Sequence, residues 1–438
     1  MFTSKNYFVC LISFFVFASS LSAAEKFVGT DGDDSRSGLS IGQHWLTLTH
    51  ALRNLEPGDT LTILNGQYDI GNEFEGSNGV AHVRRTGFQR LDGFVNNVTT
   101  IRSQSRRGVF IRGNLTVEGS YIRIEGLILF GSSKNDEYGI KVDGSHHIDI
   151  VDNRIGWCGG GGISTAHTDS LRIIDNEVHN TGYRNENQHS AISIYQPIPF
   201  NDPENRHWGI EIRRNNCYNN TNFVPGQFGI TDGNGIIIDD YLYEQTQYLR
   251  PWHRNVIGNN EEYPRRTLVE GNLCTYNGGV GVLCYLATNV SIKNNTCIGN
   301  NQYIFDQNWN FRNRGQICIL DSFSMYMVNN AMQAKPVDAA QGFGGAPYAA
   351  AEMRGSDNLW ENNLLHTEGN FNNLVNRLVV RNDSYTRRPN FADEANFDYR
   401  FINGFGLGIT WGDGHVYEDL MGREVREGQR TDMGAIQF

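Results

Sequence analysis

Val269-Glu270-Gly271-Asn272-Leu273-Cys274 and Ile292-Lys293-Asn294-Asn295-Thr296-Cys297 are two copies of one pattern, set 23 residues apart. An apolar residue is followed by two mostly polar ones, then Asn, then any residue, then an apolar one. The same pattern appears at Ile150-Val151-Asp152-Asn153-Arg154-Ile155, Ile173-Ile174-Asp175-Asn176-Glu177-Val178 and Ile212-Arg213-Arg214-Asn215-Asn216-Cys217. It continues at Met327-Val328-Asn329-Asn330-Ala331-Met332 and Leu359-Trp360-Glu361-Asn362-Asn363-Leu364, and Ile124 to Leu129 is a degenerate first copy with Leu127 in place of Asn. Asn tolerates the left-handed backbone of a tight corner, and stacked Asn amides hydrogen-bond from one copy to the next. Apolar alternation between the corners gives strands of period two, each of which buries its core only against neighbouring copies. The sequence therefore predicts an all-β chain, a right-handed parallel β-helix, with the hand set by the preference of parallel crossovers.

Working outward, the amphipathic stretch Leu48 to Leu55, ended by Pro57-Gly58-Asp59, is predicted as an N-terminal capping helix over the first open coil. Lys5, the apolar run Tyr7 to Leu21 and Ser22-Ala23-Ala24 have the order of a secretory leader, so residues 1–24 read as a signal peptide and 25–438 as a single β-helix domain. The protein is then secreted or periplasmic. A bare coil is 23 residues, whereas Asn176 to Asn215 takes 39 and Asn215 to Asn272 takes 57. Long loops are thus expected at 177–211 and 218–266, with another at 335–358, and insertions in such arrays usually gather on the binding face. The C-terminal region from Phe391 loses the repeat and is expected to close the coil.

Composition narrows the partners. The chain carries a net charge of −11 and has 49 glycines and only 10 prolines, which suits many short strands with tight turns. An acidic surface argues against nucleic acid and against an anionic membrane, and no apolar run outside the leader is long enough to span one. Cys217, Cys274 and Cys297 fall at one repeat position and are expected as buried thiols in an apolar ladder, with Cys284 inward and Cys318 nearby. The acidic turn Asp31 to Asp34 reads as a solvated turn; calcium there is the alternative, no metal ligand set is assigned and no cofactor is required.

Candidate chemistry lies between Ser190 and Asp240. Aligning the short strands puts Val142, Thr165, Ile194, Ile238 and Cys284 inward, so Asp143, Ala166, Tyr195, Asp239 and Tyr285 form the adjacent outward column. Lys141, Ser164, Ser193, Ile237 and Leu283 form the other outward column. Tyr195, His189 and His207 are the candidate acid/base groups. Arg206, Arg213, Asn234, Asp239, Arg254 and Tyr285 are candidate substrate contacts, because a shallow face with Tyr, His, Arg and carboxylates suits a polysaccharide groove. An outward Tyr can equally serve only for packing or sugar stacking, a His in a polar loop is ordinarily solvated, and Asp232-Gly233-Asn234-Gly235 is first of all a turn. Asp239 and Asp240 point to opposite faces, which opposes a joint metal cage.

Thr231-Asp232-Gly233-Asn234-Gly235-Ile236-Ile237-Ile238-Asp239-Asp240, with Thr267 to Asn272 and Tyr276-Asn277-Gly278-Gly279, resembles exported bacterial right-handed β-helix proteins that include polysaccharide lyases acting on alginate or related polyuronates. Ser190 to Pro197 is similar to the strand that bears the catalytic tyrosine of those lyases. The start, Phe27 to Leu39, Pro57-Gly58-Asp59 and Asn65-Gly66-Gln67-Tyr68, and the end, Asp398-Tyr399-Arg400 and Thr431 to Ala435, are also similar to such solenoids. The resemblance implies a lyase that cleaves an anionic, uronate-containing polysaccharide by β-elimination, acting as a monomer. Its alginate-cleaving members pair the tyrosine with a lysine, whereas this chain has none between Lys141 and Lys293, so the second role passes to His or Arg. A C5-epimerase, a glycoside hydrolase using a carboxylate pair such as Asp232 and Asp239, and a non-catalytic carbohydrate-binding solenoid are the alternatives.

Overall fold

The computed structural model describes residues 23–72, 80–83, 89–131, 138–184, 186–200, 204, 206–245, 262–303, 315–335, 351–353, 355–361, 363–367, 379–380, 391–396, 398–401, 407–409, 417–418, 424–425 and 430–432. Most of the expected leader (residues 1–22), Arg254 and most of the 335–358 loop lie outside the described residues. Three parallel sheets, here A, B and C, carry 12, 10 and 9 strands, and the chain visits them in that order in each coil. One coil, for example, runs Asp169–Ile174 in A, Glu177–His179 in B and Ile192–Tyr195 in C. This is the right-handed parallel β-helix expected from the repeat. The helix spans Leu48–Arg53, with Leu48, Ala51 and Leu52 buried and Thr47 capping its first turn.

The solenoid begins well before the repeat becomes countable. Glu25–Val28, Thr60–Ile63 and Thr99–Ser103 already pair in parallel in sheet A. In every described coil, alternate residues point inward, so Ile148, Ile150, Ile173, Ile212, Val269 and Ile292 fill the interior with no exposed surface. Cys217, Cys274 and Cys297 stack directly in sheet B. The six described cysteines are free and buried. Cys318 pairs with Leu283, in an outward column, although it too is buried.

The corner between A and B holds the Asn ladder. Asn153, Asn176, Asn215, Asn272, Asn295 and Asn330 each donate the backbone N–H and the side-chain amide to the amide oxygen of the Asn one coil on, at 2.8 to 3.1 Å. The second amide hydrogen reaches a carbonyl one coil back, as Asn272 does to Ile212 at 2.9 Å. The ladder thereby pairs the N–H of each of these Asn residues and a backbone carbonyl one coil back. One expectation needs correction: the left-handed residue is the one before the ladder Asn. Asp152, Asp175, Arg214, Asn294 and Asn329 have φ between 53 and 61°, and Gly271 has 64°. Leu127 ends the ladder because it has no amide, and its own N–H donates to Asn153.

A second ladder, unforeseen from sequence, lines the corner between B and C. Thr181, Asn220, Asn277, Asn300 and Gln316 are linked in succession by bonds of 2.8 to 3.2 Å. It fixes the corner from which segments 180–191 and 219–235 run, whereas 196–209 and 240–266 connect sheet C to sheet A. The C-terminal hairpin, Phe391–Asp393 with Asp398–Phe401, is antiparallel and packs Phe391 and Tyr399 against Leu273, Ile298, Ala331 and Leu364 on the outside of sheet B. This part of the terminus lies along the solenoid, in contrast to the expected closure of its end.

Candidate active site on the outer face of sheet C

Alternation along Ile192–Tyr195 sends Ile192 and Ile194 into the core and Ser193 and Tyr195 outward. The register pairs Asp143 with Ala166, Ala166 with Tyr195, Tyr195 with Asp239 and Asp239 with Tyr285, one strand spacing apart. Lys141, Ser164, Ser193, Ile237 and Leu283 make the neighbouring column. The face changes character along the helix axis. Lys141, Asp143, Ser164, Ser193 and Tyr195 are partly exposed, whereas Ile237, Leu283, Cys318 and Leu320 are buried in an apolar patch against which Tyr285 packs. Tyr195 and Asp239 sit at the boundary.

The group brought against Tyr195 is His167, a residue that sequence reasoning did not single out. Their rings meet edge to face, with centroids 6.3 Å apart. His167 occupies the left-handed corner directly after its strand, and its Nδ1 lies 2.8 Å from Asp143 Oδ1. Donation of the Nδ1 hydrogen to that carboxylate leaves Nε2, which is buried, as the basic nitrogen. Asp143, His167, Tyr195 and Asp239 thus form a contiguous polar set on successive coils.

Asp239 accepts from Gln245 Nε2 at 3.0 Å. Burial, reinforced by the nearby Asp232 and Asp240 carboxylates, pushes the Asp239 carboxyl well above its ordinary range, outweighing the Gln245 bond. The shift extends the neutral acid to higher pH than for an exposed carboxyl. Asp240 instead serves the loop: its carboxylate takes Gln196 Nε2 at 2.5 Å and the Glu244 and Gln245 N–H groups at 2.8 and 2.9 Å.

His189 lies at the other edge of the face, six residues before Tyr195 and next to the B–C corner. It packs edge to face on Tyr138 at 4.6 Å, and Lys141 stands over the same Tyr138 ring. Burial first, and the Lys141 charge second, hold the His189 imidazole down at about 4, so it is neutral at pH 7. Asn234 is fully buried: its amide donates to Ser190 Oγ and Asp232 Oδ1, each at 2.9 Å, and its oxygen accepts from Val280 N. That bonding makes it a corner brace which orients Asp232.

The remaining candidates lie elsewhere. His207 and Arg206 are at the corner between C and A, where His207 Nε2 meets Arg266 Nη1 at 2.9 Å and Arg206 Nε donates to Glu204 at 2.8 Å. Arg213 projects from sheet A and pairs with Glu270 at 3.0 Å and Glu211 at 3.6 Å. Its guanidinium is committed to a charge ladder on a different face. The same corner anchors the long loop through Asp169, which has no exposed surface and accepts Tyr263 Oη at 2.5 Å and Arg265 Nη1 at 2.8 Å. Among the described residues, no cluster of three or more His, Cys, Asp or Glu is arranged to hold a metal ion. At the Asp31 to Asp34 turn, Asp34 is occupied by Leu46 N, Thr47 N and Thr47 Oγ1.

No known family matches the chain, and no curated protein does. Among solved structures, the chain is similar to pectate lyase Pel9A, with 11% identity and a TM-score of 0.43 over 95% of this chain and 97% of that one. It is similar to a rhamnogalacturonan lyase, with 12% identity and a TM-score of 0.42 over 93% and 97%. It is also similar to an alginate lyase from Paenibacillus sp. str. FPU-7, with 13% identity and a TM-score of 0.37 over 78% and 92%.

Proposed function

We propose that the protein is a polysaccharide lyase that cleaves a uronate-containing chain by β-elimination on the outer face of sheet C. The observation that carries this reading is the contiguous set Asp143, His167, Tyr195 and Asp239. Elimination requires that the C5 hydrogen be acidified, that a base remove it and that an acid protonate the departing oxygen. When protonated, Asp239 is a hydrogen-bond donor to the C6 carboxylate and supports the charge that develops there.

Tyr195 is the acid/base group. His167, whose ring lies 6.3 Å from that of Tyr195, takes the phenolic proton by way of a water between them, with Asp143 steadying the imidazolium, and the phenolate removes the C5 hydrogen. The C5–H electron pair becomes the C4–C5 double bond as the C4–O4 bond breaks. The proton then passes to O4 of the leaving sugar, through Tyr195 when both events share one face of the ring. Lys141 adds positive charge along the groove, and His189 contacts the polymer at the far edge. Export through the N-terminal leader would put the enzyme where such polymers occur.

Glycoside hydrolysis is the second reading, favoured by the raised Asp239 carboxyl with Asp232 as a second carboxylate nearby. Incubation with polymannuronate, polyguluronate, polyglucuronate, polygalacturonate and a neutral glucan separates the two. Ultraviolet absorbance from an unsaturated uronate supports elimination. New reducing ends with no such absorbance refute it in favour of hydrolysis, and a changed C5 configuration by proton NMR indicates epimerisation.

A further inference from the structure

A second concave site lies on the corner between B and C, outside the sheet C set. It is a trough of about 1010 Å³ whose lining includes Trp157, Tyr183, Phe223, Tyr276 and Tyr303. Its floor follows from the corner geometry. Trp157, Asn180, Asn219 and Tyr276 have φ of 53 to 55° and stand at equivalent places in successive coils, the last three immediately before the second ladder's Thr181, Asn220 and Asn277. The left-handed backbone at each place turns the side chain outward, and the ladder beneath holds the column straight.

Gly299 continues that column with φ of 60°, and its missing side chain matters. A Cβ there would lie 2.9 Å from Tyr276 Cε1 and 3.5 Å from Lys335 Cδ. The space lets Lys335 Nζ reach Tyr276 Oη at 2.7 Å and Glu394 Oε1 at 2.6 Å, the latter carried in by the C-terminal hairpin. Burial alone would lower the Lys335 ammonium, but the Glu394 and Tyr276 bonds win and hold it above its ordinary value. Lys335 and Glu394 therefore balance each other as an ion pair.

Two aromatic groups in this trough are open to solvent, Trp157 at 51% and Phe223 at 54%, and Phe223 is braced edge to face by Tyr303 at 5.2 Å. Exposed rings spaced along a groove with amide and hydroxyl neighbours match the faces and edges of sugar rings. From Trp157 to Lys335 the trough crosses six coils, about 24 Å at about 4.8 Å per coil. We propose that this trough binds a linear oligosaccharide of several pyranose units, aligned with the helix axis. Because Lys335 and Glu394 cancel, recognition rests on ring stacking and hydroxyl hydrogen bonds, and a neutral chain suffices. This inference is independent of the chemistry assigned to sheet C.

The test is calorimetric titration of the whole protein with pentasaccharides of β-1,4-glucose, β-1,4-mannose, β-1,4-xylose, guluronate and galacturonate. The expected result is binding of at least one neutral pentamer, weakened about tenfold in Trp157→Ala and again in Phe223→Ala. Both rings are exposed, so both variants should fold with an unchanged melting temperature. The affinity should change less than twofold between about 0.05 and about 0.5 M salt. Silence toward every pentamer, unchanged affinity in both variants, or binding only of the uronates with a steep salt dependence would each overturn the proposal.

Discussion

Replacing Asn272 by Ala tests the physical basis of the fold at its most connected point. The side chain has no exposed surface. Its amide donates to Ile212 O and Asn295 Oδ1, each at 2.9 Å, and its oxygen accepts Asn215 N at 2.9 Å and Asn215 Nδ2 at 3.0 Å. Four buried bonds at about 1 kcal/mol net each give a loss of about 4 kcal/mol, and the orphaned Ile212 carbonyl and Asn215 N–H raise it toward about 6. Asn153, at the ladder's end, donates to Ile124 O and Asn176 Oδ1 and accepts only Leu127 N, so Asn153→Ala should cost about 1 kcal/mol less. Because a chain of this size tends to unfold irreversibly, native-state hydrogen exchange is the better assay, with the Asn215 amide read directly. Protection there should fall by at least a hundredfold. A loss below about 1 kcal/mol, or equal protection in wild type and Asn272→Ala, would refute the claim that the ladder carries the corner.

Three further outcomes follow from the buried titratable groups. Asp239 is held above its ordinary 3.8, so folding increasingly demands a proton as pH rises from that value toward the folded-state pKa. Asp239→Asn should therefore melt higher than wild type at pH 7 and no differently below pH 3.8, as followed by circular dichroism across pH. His189 behaves in the opposite sense: its folded pKa of about 4 lies below the ordinary 6.5, so its contribution is complete above 6.5 and is lost as pH falls to about 4, at about 3 kcal/mol in all. His189→Leu should flatten that acid loss; an unchanged acid limb would remove His189 as its source. The six described cysteines are free, and burial pushes Cys158 up to about 12, so a reductant should leave the melting temperature unchanged and thiol reagents should react only on unfolding.

Sequence carried the fold because the signal repeats. One Asn per coil, with apolar alternation on either side, fixed the strand register closely enough to align Asp143, Ala166, Tyr195, Asp239 and Tyr285 as they pair in the structure. The second ladder was also legible, since Asn220, Asn277 and Asn300 each follow a first-ladder Asn by five residues, but its apolar frame is weaker. The site was harder to read. His167 belongs to the corner after a strand, where alternation no longer says which way a side chain points, and its partner Asp143 is 24 residues away. His207, Arg206 and Arg213 are near Tyr195 in sequence, yet each coil carries the chain around a triangular section, and they emerge on another face. The Tyr276, Lys335 and Glu394 cluster joins two places on one corner, two coils apart, with the terminal hairpin, a meeting that no local pattern encodes.

The assignment of the active face to sheet C is tested most directly by the turnover of Tyr195→Phe and His167→Ala, alongside Trp157→Ala, on whichever uronate polymer the wild-type protein converts. Loss of the hydroxyl in Tyr195→Phe removes the group that exchanges the proton. The expected fall in kcat is at least about a thousandfold for Tyr195→Phe and about a hundredfold for His167→Ala, with folding intact. Trp157→Ala should keep the wild-type kcat. Full activity in Tyr195→Phe would contradict the assignment of the active face to sheet C.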